Sequence, residues 1–318
     1  MKKLLSAILI VLCAATGLRA QNLKKMTFTP QWTPQAQFAG FYVAKEKGFF
    51  LEEGLDVEIK HIGQNSRENA TDLLLSGEAD IAGQQLMQSI VARADGKPLV
   101  NVMQITQQTG LCCASLSPLG SIDDLDGKKV GRWRQGFSEI CDMLEVRSGI
   151  KTEWIPFISG INLLVFGAVD AMLCYSYSEL LALEMAIGDI PEENIIRFSE
   201  LLPDIPEDGL YVTDSYYSRN KDSVDSFVKA VKRGWEYAAA NMDEALSITK
   251  KYIAEGNVLT NDTVQRRMLE EYLRLQIDSA TGKADFPPVS PDAFRICNES
   301  LLDSGHILQA VEYKDFVK

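Results

Sequence analysis

Histidine is almost missing from this chain: His61 and His306 are the only two in 318 residues. No pair of imidazoles is at hand for acid–base work, and no His-rich or C-x-x-C spacing suggests zinc. G-x-S-x-G, a phosphate loop and a GxGxxG after a strand are absent as well, so no catalytic residue, cofactor or metal is expected. Basic residues are few, 32 Lys and Arg against 44 Asp and Glu, for a formal net charge of −12. Such a surface repels phosphates and argues against nucleic acid. Past residue 20 no apolar run is long enough to cross a membrane.

Residues 1–20 read as a removable leader. Lys2 and Lys3 precede an apolar run from Leu4 to Ala15, and Leu18-Arg19-Ala20 ends in the small residue that a signal peptidase requires. Cys13 raises a lipoprotein alternative, but Leu12 stands where such signals want a small residue, so plain export to the periplasm is preferred. The mature chain keeps Cys112, Cys113, Cys141, Cys174 and Cys297. An odd number cannot all pair internally, and most are expected as small buried apolar residues. An acidic, exported monomer is the expectation.

What the chain does contain is a dense polar-aromatic stretch, Gln31 to Val57. Lys25 to Thr29 alternates as a half-buried strand, Pro34 forces a turn, and from Ala36 apolar residues recur at helical spacing until Gly48. Tyr42 falls on that helix and is expected in the core. Further strands are predicted at Leu55–Ile59, Ala79–Ala82 and Leu99–Ile105, with a helix capped by Ser66 and another running from Leu86 to Ala94. The same grammar restarts near Leu111: strands at Lys129–Trp133, Trp154–Phe157 and Met172–Tyr175, and helices at Phe137–Val146, Ile161–Phe166 and Leu180–Ile187. L-L-S-G-E-A-D-I at 74–81 and L-V-F-G-A-V-D-A at 164–171 echo one another, each as helix end, glycine cap and buried strand. This alternation predicts an α/β fold of two similar lobes, each a mostly parallel sheet with helices on both faces. From Tyr211 the chain reads as helical almost throughout and is expected to pack back on the first lobe. The division is therefore 21–108 for lobe 1, 109–204 for lobe 2 and 205–318 for the return, with a hinge where the chain crosses near 105–110 and 200–208.

The run W-x-P-x-x-x-F-A-G-F-Y-V-A-K-E-K-G-F-F-x-E-E-G-L-D-V from Trp32 to Val57 resembles the opening of the NMT1/THI5-like family of periplasmic binding proteins, relatives of the alkanesulfonate and nitrate binders. Gly167-Ala168-Val169-Asp170-Ala171 and Gly234-Trp235-Glu236-Tyr237-Ala238 extend the likeness over nearly all of the mature chain. The resemblance implies a two-lobed binding protein of type II, an ABC permease in the inner membrane as partner, and a pyrimidine precursor of thiamine as ligand.

Candidate ligand contacts gather at the strand exits: Trp32, Gln35, Gln37 and Phe38; Gln84 and Gln85; Trp133, Phe137 and Ser138; Tyr175, Tyr177 and Glu179. Ring faces stack on a flat ligand, amides give and accept hydrogen bonds, and Glu179 accepts from an exocyclic amine. Phe137 and Ser138, after Gly136, offer backbone N–H groups to a polar or anionic group. Each has a plainer reading: Trp32 and Trp133 as core, Gln84 and Gln85 as helix caps, Glu179 as a first-turn acid. Tyr177-Ser178-Glu179 resembles the Tyr-Asn-Glu stretch of family members, which supports contact. Riboflavin or a sulfonate are rival ligands; the sulfonate would need Arg132, Arg134 or Arg67. The fungal relatives are pyrimidine synthases with a pyridoxal-bearing lysine and a sacrificed histidine, and here Gln84 and Gln88 stand at the matching positions, so the enzyme reading is set aside. A sensor that signals to a membrane kinase is the other alternative.

Overall fold

The computed structural model describes residues 23–63, 69–134, 136–201, 205–278 and 281–318. The leader, Cys13, Ser66 and Arg67 lie outside the described residues. Ten strands form two five-stranded sheets. The first runs β2 (Leu55–Ile59), β1 (Lys24–Thr29), β3 (Ile81–Gln85), β10 (Asp208–Thr213), β4 (Leu99–Gln104); the second runs β7 (Glu153–Phe157), β6 (Lys129–Trp133), β8 (Ala171–Tyr175), β5 (Leu111–Ser115), β9 (Ile195–Arg197). In each sheet the first three strands are parallel, and the fourth is antiparallel to both its neighbours.

Those two fourth strands, together with the edge strand β9, correct the sequence reading, which placed no strand at Asp208–Thr213, Leu111–Ser115 or Ile195–Arg197. Leu-Cys-Cys-Ala-Ser is buried along its whole length, so it has no polar alternation to betray it. β3 also extends through Gln84 and Gln85, which therefore belong to the strand rather than following it. The helix between β2 and β3, α1 (Ala70–Ser76), is capped by Asn69, whose side chain accepts from Asp72 N–H while the Asp72 carboxylate accepts from Asn69 N–H.

The echoed segments do the same job in both lobes. Asp80 Oδ2 accepts Thr27 N–H at 2.8 Å, and Asp170 Oδ2 accepts Lys129 N–H at 2.9 Å. Each Asp N–H returns a bond to the same residue's carbonyl, at 2.8 Å in both cases. An aspartate just ahead of β3 or β8 thus pins the neighbouring strand, β1 at Thr27 and β6 at Lys129.

The helix Ala39–Glu46 crosses the long helix Asp214–Ala240, which is kinked at Asn220 and capped by Thr213. The crossing is closed by glycines: a Cβ on Gly234 would lie 2.1 Å from Gly40 O, and one on Gly40 would lie 2.2 Å from the Trp235 ring. Phe28, Phe41 and Phe227 fill the space beneath, with ring centroids 4.4 and 5.5 Å apart. All five described cysteines are free and buried, as small apolar residues would be.

The two crossings between lobes bond to each other. Ile105 N–H donates to Asp208 O at 2.8 Å, and Thr106 Oγ1 accepts from Glu207 N–H at 3.1 Å and from Asp208 N–H at 3.0 Å. Glu207 in turn accepts from the Thr109 hydroxyl and from Gly110 N–H. Burial pushes its carboxyl up to about 8, with the adjacent Asp208 charge adding to the shift against the Thr109 bond.

Candidate functional site

The strand ends of the two sheets enclose a cavity of about 560 Å³. Ten of the twelve sequence candidates line it: Trp32, Gln35, Gln37, Gln84, Gln85, Trp133, Phe137, Tyr175, Tyr177 and Glu179. Phe38 and Ser138 do not. Phe38 is buried and packs against His61 at 5.6 Å between centroids, because the three-residue 3₁₀ turn Ala36–Phe38 rotates it inward. Ser138 opens the helix α2 (Ser138–Ser148), but its hydroxyl donates to Glu139. Glu139 also accepts Phe137 N–H at 3.3 Å, so the helix start is already served by a carboxylate and does not offer the anion site the sequence suggested.

The first lobe presents amides. Pro34 turns the chain after β1, and Gln265 Oε1 accepts Ala36 N–H at 2.7 Å to fix the turn. Trp32 is held through its carbonyl by His61 Nδ1 at 2.7 Å; His61 Nε2 faces the Tyr42 hydroxyl at 2.9 Å. Burial lowers the His61 pKa to about 4, so the ring is neutral and donates from Nδ1. Tyr42 is fully buried and stacks on Tyr252 at 4.0 Å, a core residue as expected. Gln37 Nε2 donates to Asp208 Oδ2 at 2.7 Å and approaches Tyr177 OH at 3.3 Å, while Gln35 Nε2 donates to Gln37 Oε1 at 2.6 Å. Gln84 Nε2 donates to Thr71 Oγ1 at 2.7 Å, Gln85 Nε2 to the Tyr175 hydroxyl, and Gln88 Nε2 to Gln85 Oε1 at 3.1 Å.

The second lobe presents rings. Trp133 sits 4.5 Å from Phe137 and 5.3 Å from Tyr175, and Tyr175 stacks on Tyr177 at 4.9 Å. Trp133 is both core and cavity wall: it also packs on Phe157, and Arg132 turns back to its carbonyl. Phe137 takes the left-handed conformation, φ 68°, which swings its ring into this cluster. Burial holds both tyrosine hydroxyls in their neutral form. Glu179 is also raised by burial, opposed by bonds from Tyr175 N–H, its own N–H and the Trp133 indole. Among the described residues Lys97 is the one cation lining the cavity, against Asp95, Glu139 and Glu179; Arg132 and Arg134 do not reach it.

Sequence reasoning missed Gln31, Asn69, Thr71, Gln88, Glu139 and Ser178, all on the wall. Gln88 was findable, in the first turn of the helix Leu86–Ala94 that follows Gln84 and Gln85 directly. Gly83 makes room for Gln31: its Cβ would sit 2.4 Å from Gln31 Oε1.

The lobes touch around the cavity. Gln88 lies 2.3 Å from where a Gly136 Cβ would be, Ser176 Oγ donates to Glu271 Oε1 at 2.7 Å, and His306 Nε2 meets Asp142 Oδ2 at 2.9 Å.

A family model described as NMT1/THI5 like matches residues 35–245. The chain is 28% identical over 270 residues to riboflavin-binding protein RibY of Chloroflexus aurantiacus, covering 82% of this chain and 75% of that one. It is 27% identical over 255 residues to a formylaminopyrimidine-binding protein of Halalkalibacterium halodurans, with 77% and 76% covered. A pyrimidine phosphate synthase of Saccharomyces cerevisiae, THI13, is 25% identical over 257 residues, with 75% and 73% covered. In structure the chain superimposes on the periplasmic aliphatic sulphonate binding protein SsuA of Escherichia coli with a TM-score of 0.66, 13% identity, and 92% and 96% coverage. With the family matched over most of its length and the two-lobed fold shared, the chain belongs to the NMT1/THI5-like family.

Proposed function

We propose that this protein is the extracytoplasmic receptor of an ABC importer, that lobe 1 (21–108 with 205–318) closes against lobe 2 (109–204), and that the captured ligand is a thiamine pyrimidine precursor such as hydroxymethyl-aminopyrimidine. The observation that carries this reading is the opposition of a ring wall and an amide wall across one cavity. A flat, polar-edged heterocycle fits between them, stacking on Tyr177 or Trp133 while Gln35, Gln84 and Glu179 meet its edge. Closure follows because only the closed form lets both walls touch the ligand. The relatives that bind riboflavin and formylaminopyrimidine support a heterocycle, and a wall with one lysine against three carboxylates disfavours a sulfonate.

A synthase reading is weakened at the two positions where the fungal synthases carry lysine and histidine. Gln84 and Gln88 stand there, both on the cavity wall, and neither amide forms an imine or gives up a ring. Riboflavin is favoured as a second reading by size, since about 560 Å³ exceeds what one pyrimidine ring fills. Calorimetric titration of residues 21–318 with hydroxymethyl-aminopyrimidine, its formylated aminomethyl analogue, thiamine, riboflavin and taurine separates these. Tight binding of an aminopyrimidine that weakens by at least about tenfold in Trp32→Ala and Glu179→Gln supports the reading. Riboflavin binding alone moves the ligand assignment, and taurine binding removes the heterocycle.

A further inference from the structure

Asp208 does not line the cavity, yet the amide wall is built on it. Its side chain is buried at the hinge end of β10, and one oxygen, Oδ2, takes both the Gln37 amide at 2.7 Å and the Tyr272 hydroxyl at 2.8 Å. A carboxylate oxygen only accepts, so the end of Gln37 that faces it must be the NH2. Gln37 Oε1 is then the atom 2.6 Å from Gln35, and the end of Gln35 that faces it must also be an NH2. What remains on Gln35, a half-buried residue on the cavity wall, is its carbonyl oxygen and one N–H, with the carbonyl turned away from Gln37. Protonation on Oδ1, which has no partner among the described residues, leaves Oδ2 accepting and the order intact.

The other amides follow the same sense. The NH2 groups of Gln84, Gln85 and Gln88 each give one N–H to a protein acceptor, and among the described residues Gln35 Oε1, Gln84 Oε1 and Gln88 Oε1 accept no hydrogen bond. Glutamine offers both signs of hydrogen bond; here each of these amides already gives one N–H to the protein, while the carbonyls of Gln35, Gln84 and Gln88 are left without a donor.

We propose that Asp208 is a positioning residue that sets the hydrogen-bonding polarity of the cavity: through Gln37 it turns Gln35 carbonyl-outward, and the wall so formed selects ligands whose ring edge carries N–H donors. This rests on the receptor reading above and sharpens it from any heterocycle to an amino-substituted one. An exocyclic amine set against this wall finds a carbonyl acceptor, whereas a ring carbonyl in the same place meets a lone pair and leaves that acceptor unmatched.

The test is a pair of twins, hydroxymethyl-aminopyrimidine and the analogue with a carbonyl in place of the amine, titrated into the wild type, Asp208→Asn and Gln37→Met. The expected result is an amine preference of at least about tenfold in the wild type that shrinks severalfold in both variants, because an Asn amide lets Gln37 turn round and Met removes the relay. Equal or better binding of the oxo twin, or an unchanged ratio in both variants, overturns the relay and leaves the receptor standing. Should Asp208→Asn not fold, Gln37→Met carries the comparison. If no heterocycle binds, the receptor reading falls, and the relay is judged in the ligand-free protein by ¹⁵N side-chain amide spectra. A Gln35 amide signal that shifts in both variants supports it; one that does not move overturns it.

Discussion

Both sheets run in the same strand order and pin their first strand with the same aspartate, yet the first delivers Gln35, Gln37, Gln84 and Gln85 to the cavity and the second delivers Trp133, Phe137, Tyr175 and Tyr177. Equal scaffolds carry unequal chemistry because the residues that face the cavity sit at or just beyond the strand ends, where the sheet core no longer dictates side-chain type. The lobes differ in their supports as well. The first leans on long helices and a glycine crossing, Gly40 against Gly234, while the second packs its sheet with small buried cysteines.

The strongest way to break this comparison is to remove the glycine crossing. Gly234→Leu should destabilise the protein by about 3 kcal/mol or more, since its side chain would have to displace helix backbone; the urea midpoint measures it. A similar magnitude is expected at the hinge, which belongs to both lobes. Glu207 has a folded pKa of about 8 against 4.5 for the free group, so the unfolded chain releases its proton first as pH rises. The stability it contributes is full below about pH 4.5 and is lost by about pH 8. Glu207→Gln should abolish that fall, gaining on the order of several kcal/mol over wild type at the alkaline end of the window. His61 works the other way: lowered to about 4 from 6.5, it contributes stability above pH 6.5 that disappears as pH falls through 4. Trp fluorescence against pH should show both limbs, and a flat profile would contradict the burial of these groups.

The paired aspartates sharpen the comparison. Asp80→Ala should cost about 2 kcal/mol and Asp170→Ala about 1, because the same bond is half-buried in the first lobe and exposed in the second; equal losses in thermal unfolding would mean that burial does not set the difference. At the small end, Ser138→Ala should change ligand affinity by less than about twofold, since Glu139 already serves the helix start.

Much of the fold could be read from the residues. The echo at 74–81 and 164–171 marked equivalent places, and the alternation of Leu55, Val57 and Ile59 marked an edge strand with one wet face. The central strands β5 and β10 were invisible for the opposite reason: buried on both faces, their residues have no polar partner to set a period. At the cavity, residue type and position beyond a strand end picked out most of the wall. Phe38 and Ser138 failed because a single 3₁₀ turn and one neighbouring carboxylate decided their direction, and neither leaves a mark in composition. Gln37 could be named but not oriented, since the Asp208 it bonds lies 171 residues away in sequence.

The fourth strand of each sheet is also where the chain changes lobe. Read as β10, β1, β2, β3, β4, the first lobe has the order of β5 to β9, so the two are rotations of one another along the chain. Each sheet therefore holds one strand that is tied to the other lobe at its end, and Thr106 rivets the two ties side by side. A joint with two parallel pins folds like a book cover; it does not swivel like a ball in a socket. Opening about such a joint would separate the two walls in proportion to distance from it, so Gln37, bonded to Asp208 beside the hinge, would move least relative to the ring wall.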